Sequence, residues 1–346
     1  MKILPLELQK DINGYLFHAF PYSILYSFPE YKDYLMENYI QCFGYVDEDF
    51  NHMAFGYSDG ICYNDMFYDS GPMDIDFHSY EVGLQLDIKK YIMSSINNGK
   101  YVVIFVDEYY VEGRSAYKNY HLLHDILIFG YNKESFIYLA FDNNQKLSFL
   151  SFPLNQIEDA YKLGYSMFLN LPVENKSKWV NERSIIVLNL KPIQHKYEFI
   201  AERFVGKLKL YLNGEFSASY NSFIIPKKKC YIGLHNTNII VHCLNNSSKS
   251  IFVTYPAIHA WYESKKNLLN KIRYAYEKMS LINNRLILAY ENEIEQQANI
   301  IRLIFIKYQQ NGKLDNDKFI SILKAIINSE SKIINNICNE LTNILQ

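Results

Sequence analysis

The sequence predicts an α+β protein that has an antiparallel sheet in its N-terminal part and an all-α helical bundle at its C terminus. Three observations support this prediction. Short apolar runs between residues 101 and 190 have the length and flanking turn residues of strands. Beyond about residue 195 the apolar period changes from two to near 3.6, as in amphipathic helices. The 346 residues, 49% of them hydrophobic, are enough for one large domain or two ordinary ones.

The first hundred residues are predicted to be helical and irregular. Pro21 and Pro29 each stand where a short helix can begin. Residues 41–78 are rich in Asp, Gly, Tyr and Phe without a sustained period, which favours a long ordered loop or lid. Residues 80–98 form an amphipathic pattern that predicts one helix, ended by Asn98 and Gly99.

Residues 101–144 predict three strands joined by two polar connections. The first, residues 101–106, is continuously apolar and ends in Asp107 and Glu108. Residues 124–131 and 135–141 are predicted to form a hairpin around the sequence Asn-Lys-Glu. The sequence that follows favours three more strands, at 146–152, 166–171 and 185–190. A short helix is predicted at 153–163, ended by Gly164, and residues 172–183 are predicted to be a polar connection between domains.

The predicted hairpin places one histidine and one aspartate at strand ends. His124 opens one strand and Asp142 closes the other. Adjacent antiparallel strands bring such ends together, so the imidazole can be a base and the carboxylate the group that orients it. Two other interpretations stay open: His124 is a core histidine that donates to a backbone carbonyl, and Asp142 is an ordinary turn residue.

The C-terminal third predicts three long amphipathic helices in succession. The first begins at Thr254 as a cap, the second carries apolar residues from 286 to 308, and the third begins near Asp315. Short links between them favour an antiparallel bundle. Shorter helices are predicted at 204–212 and 236–244. The resulting domain prediction is 1–175 for the α+β part, 176–250 for a connecting strand and short helices, and 251–346 for the bundle.

Composition and motifs exclude several classes of protein. The net charge of −2 indicates neither a nucleic-acid partner nor an anionic membrane surface. The sequence shows no signal peptide and no apolar run long enough to span a membrane, so we expect a cytoplasmic protein. Its five cysteines are scattered and odd in number, which predicts free thiols and no structural zinc. Phosphate-loop, dinucleotide, zincin and hydrolase-elbow motifs are missing from the sequence, so we expect no cofactor and no metal.

Several parts of the central stretch resemble a known family. They are the Asp-Glu-Tyr-Tyr sequence after the first strand, the run HDILIFGYNKESF that begins at His124, and the AFDNN that follows, together with Tyr117, Tyr120 and His121. This pattern resembles the amino-terminal domain of the butirosin biosynthesis protein H family, most closely over residues 15–165. The sequences ENYIQCFGYVDEDF and HAWYESKKNLLNKIRYAYEK resemble segments of relatives encoded beside nonribosomal peptide synthetases.

The resemblance implies a papain-like fold for the N-terminal domain and a role in specialised-metabolite biosynthesis. The founding member of the family resembles an acyltransferase that moves an aminoacyl group from an acyl carrier protein to an aminoglycoside amine. For this chain the resemblance implies a protein that acts on a carrier-bound substrate. It would transfer an acyl or aminoacyl group, or hydrolyse a thioester or peptide. His124 would be the base and Asp142 its orienting partner. The alternative is a catalytically inactive papain-like scaffold that binds a carrier protein, a peptide or a small molecule.

The sequence departs from the family at the nucleophile. A papain-like acyltransferase needs a cysteine at the start of its first core helix, because a thiolate accepts an acyl group at neutral pH. Here that region is FHAFPYSIL, where Ser23 is the hydroxyl nearest the predicted helix start. Cys42 and Cys62 are the other candidates, although small buried apolar side chains are the ordinary interpretation of both. The nucleophile therefore stays unassigned.

Five further residues are candidates for substrate binding, and each has a plain alternative. His18 is surrounded by aromatic residues, as a packed core histidine would be. Asp107 and Glu108 are equally consistent with a solvated strand end. Tyr120 and His121 precede the hairpin in a predicted loop. The basic residues 227–229 are a solvated turn or a docking point for an acidic carrier protein.

Overall fold

The computed structural model describes residues 1–47, 52–63, 71–170, 183–193, 196–216, 230–245, 253–312 and 314–346. The elements of the N-terminal half are β1 (Lys2–Ile3), α1 (Leu16–Tyr26), α2 (Lys32–Glu37), β2 (Cys42–Asp47), β3 (His52–Tyr57), β4 (Met73–His78), α3 (Tyr80–Gly83), α4 (Ile88–Asn97), β5 (Tyr101–Asp107), β6 (Leu123–Tyr131), β7 (Ser135–Phe141), β8 (Leu147–Pro153) and α5 (Ile157–Asn170). They are followed by β9 (Ile185–Leu190), α6 (Ala201–Asn213), β10 (Cys230–Ile232), α7 (Asn236–Asn245), α8 (Tyr255–Lys278), α9 (Arg285–Tyr290), α10 (Gln296–Asn311) and α11 (Asn316–Leu345).

A seven-stranded antiparallel sheet forms the centre of the N-terminal half. Its strands follow the order β4-β9-β5-β6-β7-β8, and β1 adds to β6. Every residue of β5 is buried, as its unbroken apolar sequence predicts for a strand covered on both faces. The β5–β6 register pairs Val106 with His124 and Asp107 with Leu123. The α+β prediction and the antiparallel hairpin are thus confirmed.

The prediction of a long loop at residues 41–78 is wrong for the described part of that range. β2 and β3 form a hairpin there, and β10 pairs with β2 to make a three-stranded sheet. Most described residues of β2 and β3 are buried, with α7 and α8 lying against them. Burial on both faces removes the alternation of apolar and polar residues that would have indicated strands.

The helix predicted at 153–163 is longer than its pattern suggested, and the strand predicted at 166–171 is wrong for the residues described. α5 runs from Ile157 to Asn170 without a break at Gly164. A Cβ on Gly164 would lie 3.1 Å from the backbone nitrogen of Asp107 and 3.3 Å from the carbonyl carbon of Val106. This glycine therefore permits the close contact between α5 and β5 rather than ending the helix.

Two other helix boundaries differ from their predictions. Residues 80–98 form two helices, α3 and α4, each with a side-chain cap at its start: Ser79 accepts from Val82 and Asp87 from Lys90. α1 begins five residues before Pro21 and continues through it. The connection predicted at 172–183 and the basic residues 227–229 lie, except for Arg183, outside the described residues.

The C-terminal prediction of long helices is confirmed. α8 has 24 residues and α11 has 30, while α9 and α10 are joined by a π-helical turn at Glu291–Glu295. Asp315 caps α11 by accepting from the backbone N–H of Lys318, at the position where the third helix was predicted to begin. None of the described helices is both long enough and apolar enough to cross a membrane.

A buried ion pair lies at the centre of the helical half. Lys265 on α8 and Glu330 on α11 are fully buried, and Nζ lies 2.9 Å from Oε2. Tyr211 and Tyr290 donate their hydroxyls to Glu330, and Lys265 also donates to Asn236. Four helices and the start of α7 are thereby connected through one group of hydrogen bonds.

α8 also joins the two halves of the chain. Glu263 accepts from the backbone N–H groups of Asn13 and Gly14 at 2.9 and 2.6 Å. Asn267 donates to the carbonyl of Tyr39 at 2.9 Å, and buried Lys271 donates to the carbonyl of Leu35. The side chains of one C-terminal helix thus satisfy backbone groups of the N-terminal part. The predicted boundaries at 175 and 250 stay a prediction.

We expect Lys265→Ala to reduce the free energy of unfolding by about 3–5 kcal/mol, because it leaves the charge of Glu330 buried and unpaired. Urea denaturation followed by circular dichroism measures this loss. Lys162→Ala is the matched control, since Lys162 and Glu158 form an exposed pair at 3.6 Å that contributes about 0–1 kcal/mol. Equal effects of the two variants would contradict a structural role for the buried pair.

Candidate functional site

Four of the residues predicted for the site lie at the end of the β5–β6 ladder. β5 ends at Asp107, a 3₁₀ turn follows at Glu108–Tyr110, and the chain returns through a loop to begin β6 at Leu123. Because the two strands are antiparallel, the end of β5 lies beside the start of β6. Asp107, Glu108, His121 and His124 therefore lie at one end of the sheet.

His124 lies between two carboxylates. Its Nδ1 is 3.0 Å from Oδ1 of Asp125 and 3.7 Å from Oε1 of Glu108, and its side chain is 35% exposed. Burial lowers the pKa of His124, but the hydrogen bond to Asp125 and the negative charges of Asp125 and Glu108 outweigh it. The net effect is a raised pKa for His124.

Asp125 is the residue that sequence reasoning missed. Burial raises the pKa of its carboxyl, while the hydrogen bond and charge of His124 and the hydroxyl of Tyr63 lower it; the net shift is downward. Tyr63 donates to Oδ2 of Asp125 and stacks on Phe20 of α1. Asp125 follows His124 directly, and neighbouring residues of a regular strand point to opposite faces. β6 pairs regularly with β5 at both positions, so this alternation gave no reason to expect the contact.

Glu108 forms a second buried contact at this strand end. It pairs with Arg114, and the two side chains are only 1% and 5% exposed. Arg114 also donates to the carbonyl of Phe141 at the end of β7. One oxygen of Glu108 and the Nε of Arg114 are buried without a hydrogen-bond partner among the described residues. Glu108 is therefore not a solvated strand end. Arg114 was another residue that the sequence alone did not indicate.

Asp142 has its hydrogen bonds within its own turn. Its Oδ1 accepts from the backbone N–H groups of Asn144 and Lys146 at 2.7 and 3.0 Å, and its Oδ2 accepts from the hydroxyl of Ser148 at 3.0 Å. The hydrogen bond from the N–H of Lys146 lowers the pKa of Asp142, and those from Asn144 and Ser148 act in the same direction. Burial raises the pKa, but the hydrogen bonds outweigh it, so the net shift is downward. The carboxylate hydrogen-bonded to His124 is thus Asp125, and Asp142 matches the turn interpretation.

Asp107 and His121 form a separate pair. Nδ1 of His121 lies 2.6 Å from Oδ2 of Asp107. The carboxylate is fully buried, whereas the imidazole is 54% exposed. Tyr120, the neighbouring candidate, is 51% exposed, and its hydroxyl lies 3.5 Å from Oγ of Ser115. The predicted loop thus presents one histidine that a buried carboxylate orients.

The three candidate nucleophiles are buried. Ser23 is completely buried in α1, and its hydroxyl accepts from Gln9 at 3.4 Å. Burial raises the pKa of the Cys42 thiol to about 11, so the thiol stays protonated at neutral pH. Cys62 is 5% exposed. The described hydrogen bonds of His124 go to Asp125, and none of these three side chains is among its partners.

His18 is also buried, and both of its ring nitrogens are used inside the protein. Nδ1 lies 3.1 Å from the carbonyl of Ile61, and Nε2 accepts from the backbone N–H of Tyr57 at 3.1 Å. This pattern requires the neutral ring with its proton on Nδ1. Burial lowers the pKa of His18 to about 4, which is consistent with that form. His18 has the contacts of a packed core histidine.

The described residues include no group of three or more His, Cys, Asp or Glu side chains that could hold a metal ion. Imidazoles and carboxylates in hydrogen-bond contact can exchange protons with a ligand. His124 favours its charged form, and His121 has one nitrogen fixed by a buried carboxylate.

We expect Asp125→Asn to lower the pKa of His124, because it removes the hydrogen bond and the negative charge that raise it. An NMR titration of the imidazole measures this change. Asp142→Asn is the control and should leave the titration of His124 unaltered, since the hydrogen bonds of Asp142 stay within its own turn. If Asp142→Asn instead lowers the pKa of His124 and Asp125→Asn leaves it unchanged, Asp142 is the orienting residue.

The same shifts set a pH dependence of stability. A raised pKa in the folded state means that His124 stabilises the fold fully below its unfolded pKa of about 6.5 and loses this contribution as the pH rises through the folded value. Because the pKa of Asp125 is lowered in the folded state, this residue contributes stability above its unfolded pKa of about 3.9. The contribution is lost as the pH falls through the folded pKa. We expect His124→Gln to destabilise the protein more at pH 6 than at pH 9 in urea denaturation. An equal loss at both values would contradict the ion pair.

The candidate site thus consists of two imidazole–carboxylate pairs at the shared end of β5 and β6, supported by Arg114 and Tyr63. A scan of the chain against protein-family models found no match, and a search of curated proteins found none either.

Proposed function

We propose that this protein is a diverged acyl- or aminoacyl-transferring, or thioester-hydrolysing, protein with a papain-like N-terminal part. Its substrate is an acyl group on a carrier protein, and its pathway produces a specialised metabolite. His124 is the acid–base residue of this proposal. The observation that carries it is the contact of a partly exposed imidazole with two carboxylates, Asp125 and Glu108, at the strand end where the family resemblance places a catalytic histidine.

The burial of the nucleophile candidates favours direct transfer. The Cys42 thiol has a pKa of about 11, and Ser23 is enclosed in α1. An incoming amine or water therefore attacks the thioester carbonyl itself, without an acyl-cysteine intermediate. The new C–N or C–O bond replaces the C–S bond, the nucleophile loses a proton, and the leaving sulfur gains one. The acid form of His124, which the two carboxylates favour, supplies the proton for the sulfur.

A binding function without catalysis is the second candidate. The observation that favours it is that His124 and its described partners form a set of charged contacts within the protein, which can also be purely structural. In that case the strand end holds a carrier protein, a peptide or a small molecule. The two functions differ in whether a thioester is consumed.

We expect the protein to release thiol from S-acetylpantetheine, faster when a primary amine is added, as measured by a thiol-reactive dye. His124→Gln should lower kcat by roughly 100-fold or more, the range in which a general acid–base group contributes. His235→Gln, an exposed histidine beside Asn238, is the matched control and should retain full activity.

Intact-mass spectrometry during turnover separates the routes. Direct transfer predicts no acetyl adduct on the protein. An adduct on a cysteine would contradict the direct route while supporting acyl transfer. No thiol release by the wild-type protein would contradict the enzyme and leave the binding function.

A further inference from the structure

The pair of Asp107 and His121 is the best-defined imidazole–carboxylate contact at the candidate site. The distance from Nδ1 to Oδ2 is 2.6 Å, shorter than the 3.0 Å between His124 and Asp125. The proposed function gives this second pair no role.

Asp107 is held rigidly. It is the last residue of β5, and its side chain is fully buried. Its Oδ1 accepts from the backbone N–H groups of Tyr109 at 3.1 Å and Leu122 at 3.2 Å, while Oδ2 faces His121. Two backbone donors and one imidazole thus contact the two oxygens of this carboxylate. The carboxylate therefore has a fixed position from which to orient the ring.

The ring of His121 is fixed in two ways and is still accessible. Nδ1 faces Asp107, and the face of the ring stacks on Tyr109 with 4.5 Å between ring centroids and an interplanar angle of 24°. Tyr110 is the other aromatic neighbour, at 6.2 Å. A neutral imidazole whose Nδ1–H donates to a carboxylate carries its lone pair on Nε2. With 54% of the side chain exposed, that nitrogen can meet a ligand from solvent.

The two imidazole–carboxylate pairs share one place in the fold. Asp107 and Glu108 are consecutive, and only two residues separate His121 from His124. The pairing of Asp107 with Leu123 and of Val106 with His124 places the backbones of Asp107 and His124 at the end of one ladder, and Glu108 and His121 lie just beyond it in the chain. An acyl transfer to an amine or to water needs one group that accepts a proton from the nucleophile and one that donates a proton to the leaving sulfur.

We propose that His121 is the base that accepts the proton of the incoming amine or water, with Asp107 as its positioning residue, while His124 donates a proton to the leaving sulfur. This inference rests on the proposed function. In the step, Nε2 of His121 gains the proton as the nucleophile bonds to the acyl carbon. The C–S bond then breaks, and the sulfur takes the proton of His124. Exchange with solvent returns both imidazoles to their starting forms.

The alternative for Asp107 is a purely structural role. It ties the loop before β6 to the end of β5 through the N–H of Leu122, and this role needs no base. The two roles predict different chemistry at Nε2 of His121, which can be measured without any turnover.

Asp107→Asn tests the orientation of the ring. The asparagine keeps one acceptor for the backbone N–H groups, but its NH₂ faces Nδ1 and moves the ring proton to Nε2. We expect ¹⁵N NMR of neutral His121 to show a free Nε2 in the wild-type protein and a protonated Nε2 in the variant. A wild-type ring protonated on Nε2 would overturn the proposal.

Diethyl pyrocarbonate tests the reactivity of Nε2. It acylates the free nitrogen of neutral imidazoles, and peptide mass spectrometry identifies the modified histidine. We expect His121 to react faster than His235, an exposed histidine whose Nδ1 lies 3.5 Å from an asparagine amide rather than a carboxylate. Asp107→Asn should slow the reaction at His121 and leave His235 unchanged. Equal rates at His121 in both proteins would overturn the role of Asp107.

Turnover of S-acetylpantetheine separates the failure of this inference from the failure of the proposed function. We expect His121→Gly to lose roughly 100-fold or more in kcat with little change in KM, and added imidazole to restore part of the loss. Activity of His121→Gly equal to wild type would overturn the inference and leave the proposed function in place. A wild-type protein without thiol release would overturn both.

Discussion

The complete burial of β5 is the constraint on which the rest of the N-terminal half depends. A strand covered on both faces and paired on both edges leaves its backbone no freedom, so its neighbours β6 and β9 take fixed registers. α5 approaches β5 so closely that a Cβ at Gly164 would lie 3.1 Å from the backbone nitrogen of Asp107. The end of β5 pairs with β6 and lies against α5. Asp107 and Glu108 both lie there.

Two consecutive buried carboxylates at a strand end need partners, because an isolated buried charge is very costly. Asp107 takes two backbone N–H groups and His121, and Glu108 takes Arg114. Arg114 in turn reaches the end of β7, so the loop that follows β5 is fixed at several points. The hydrogen bond between Asp107 and His121 both satisfies the buried charge and orients the imidazole. In the proposed function, these atoms serve both the fold and proton transfer.

The helical half repeats this use of buried charge for a different purpose. Lys265 and Glu330 are fully buried and surrounded by hydroxyl and amide partners, with no exposed face toward a ligand. Removing one partner of such a pair is strongly destabilising, because it leaves a buried charge unpaired. At the end of β5 and β6, by contrast, the imidazoles of His121 and His124 contact buried carboxylates and are partly exposed to solvent.

Local sequence patterns determined much of the fold. The unbroken apolar run of β5, the hairpin of β6 and β7, and the 3.6-residue period of the C-terminal helices follow from residue types within short windows. The strand pattern did not predict β2 and β3, because burial on both faces hides the alternation of apolar and polar residues. The prediction that Gly164 ends a helix was wrong, because a contact with β5 rather than the local chain decides the role of this glycine. For the site, the sequence indicated His124, His121, Asp107 and Glu108 as residues of one region.

Only the tertiary structure decided which residues contact one another there. Asp142 satisfies its carboxylate within its own turn, so Asp125 takes the place beside His124. Arg114 and Tyr63 enter through contacts with residues distant in the chain, which no local pattern records. The physical reason is that a strand sequence specifies which residues lie near a sheet end, whereas the direction of each side chain depends on every donor and acceptor that the rest of the fold brings to it.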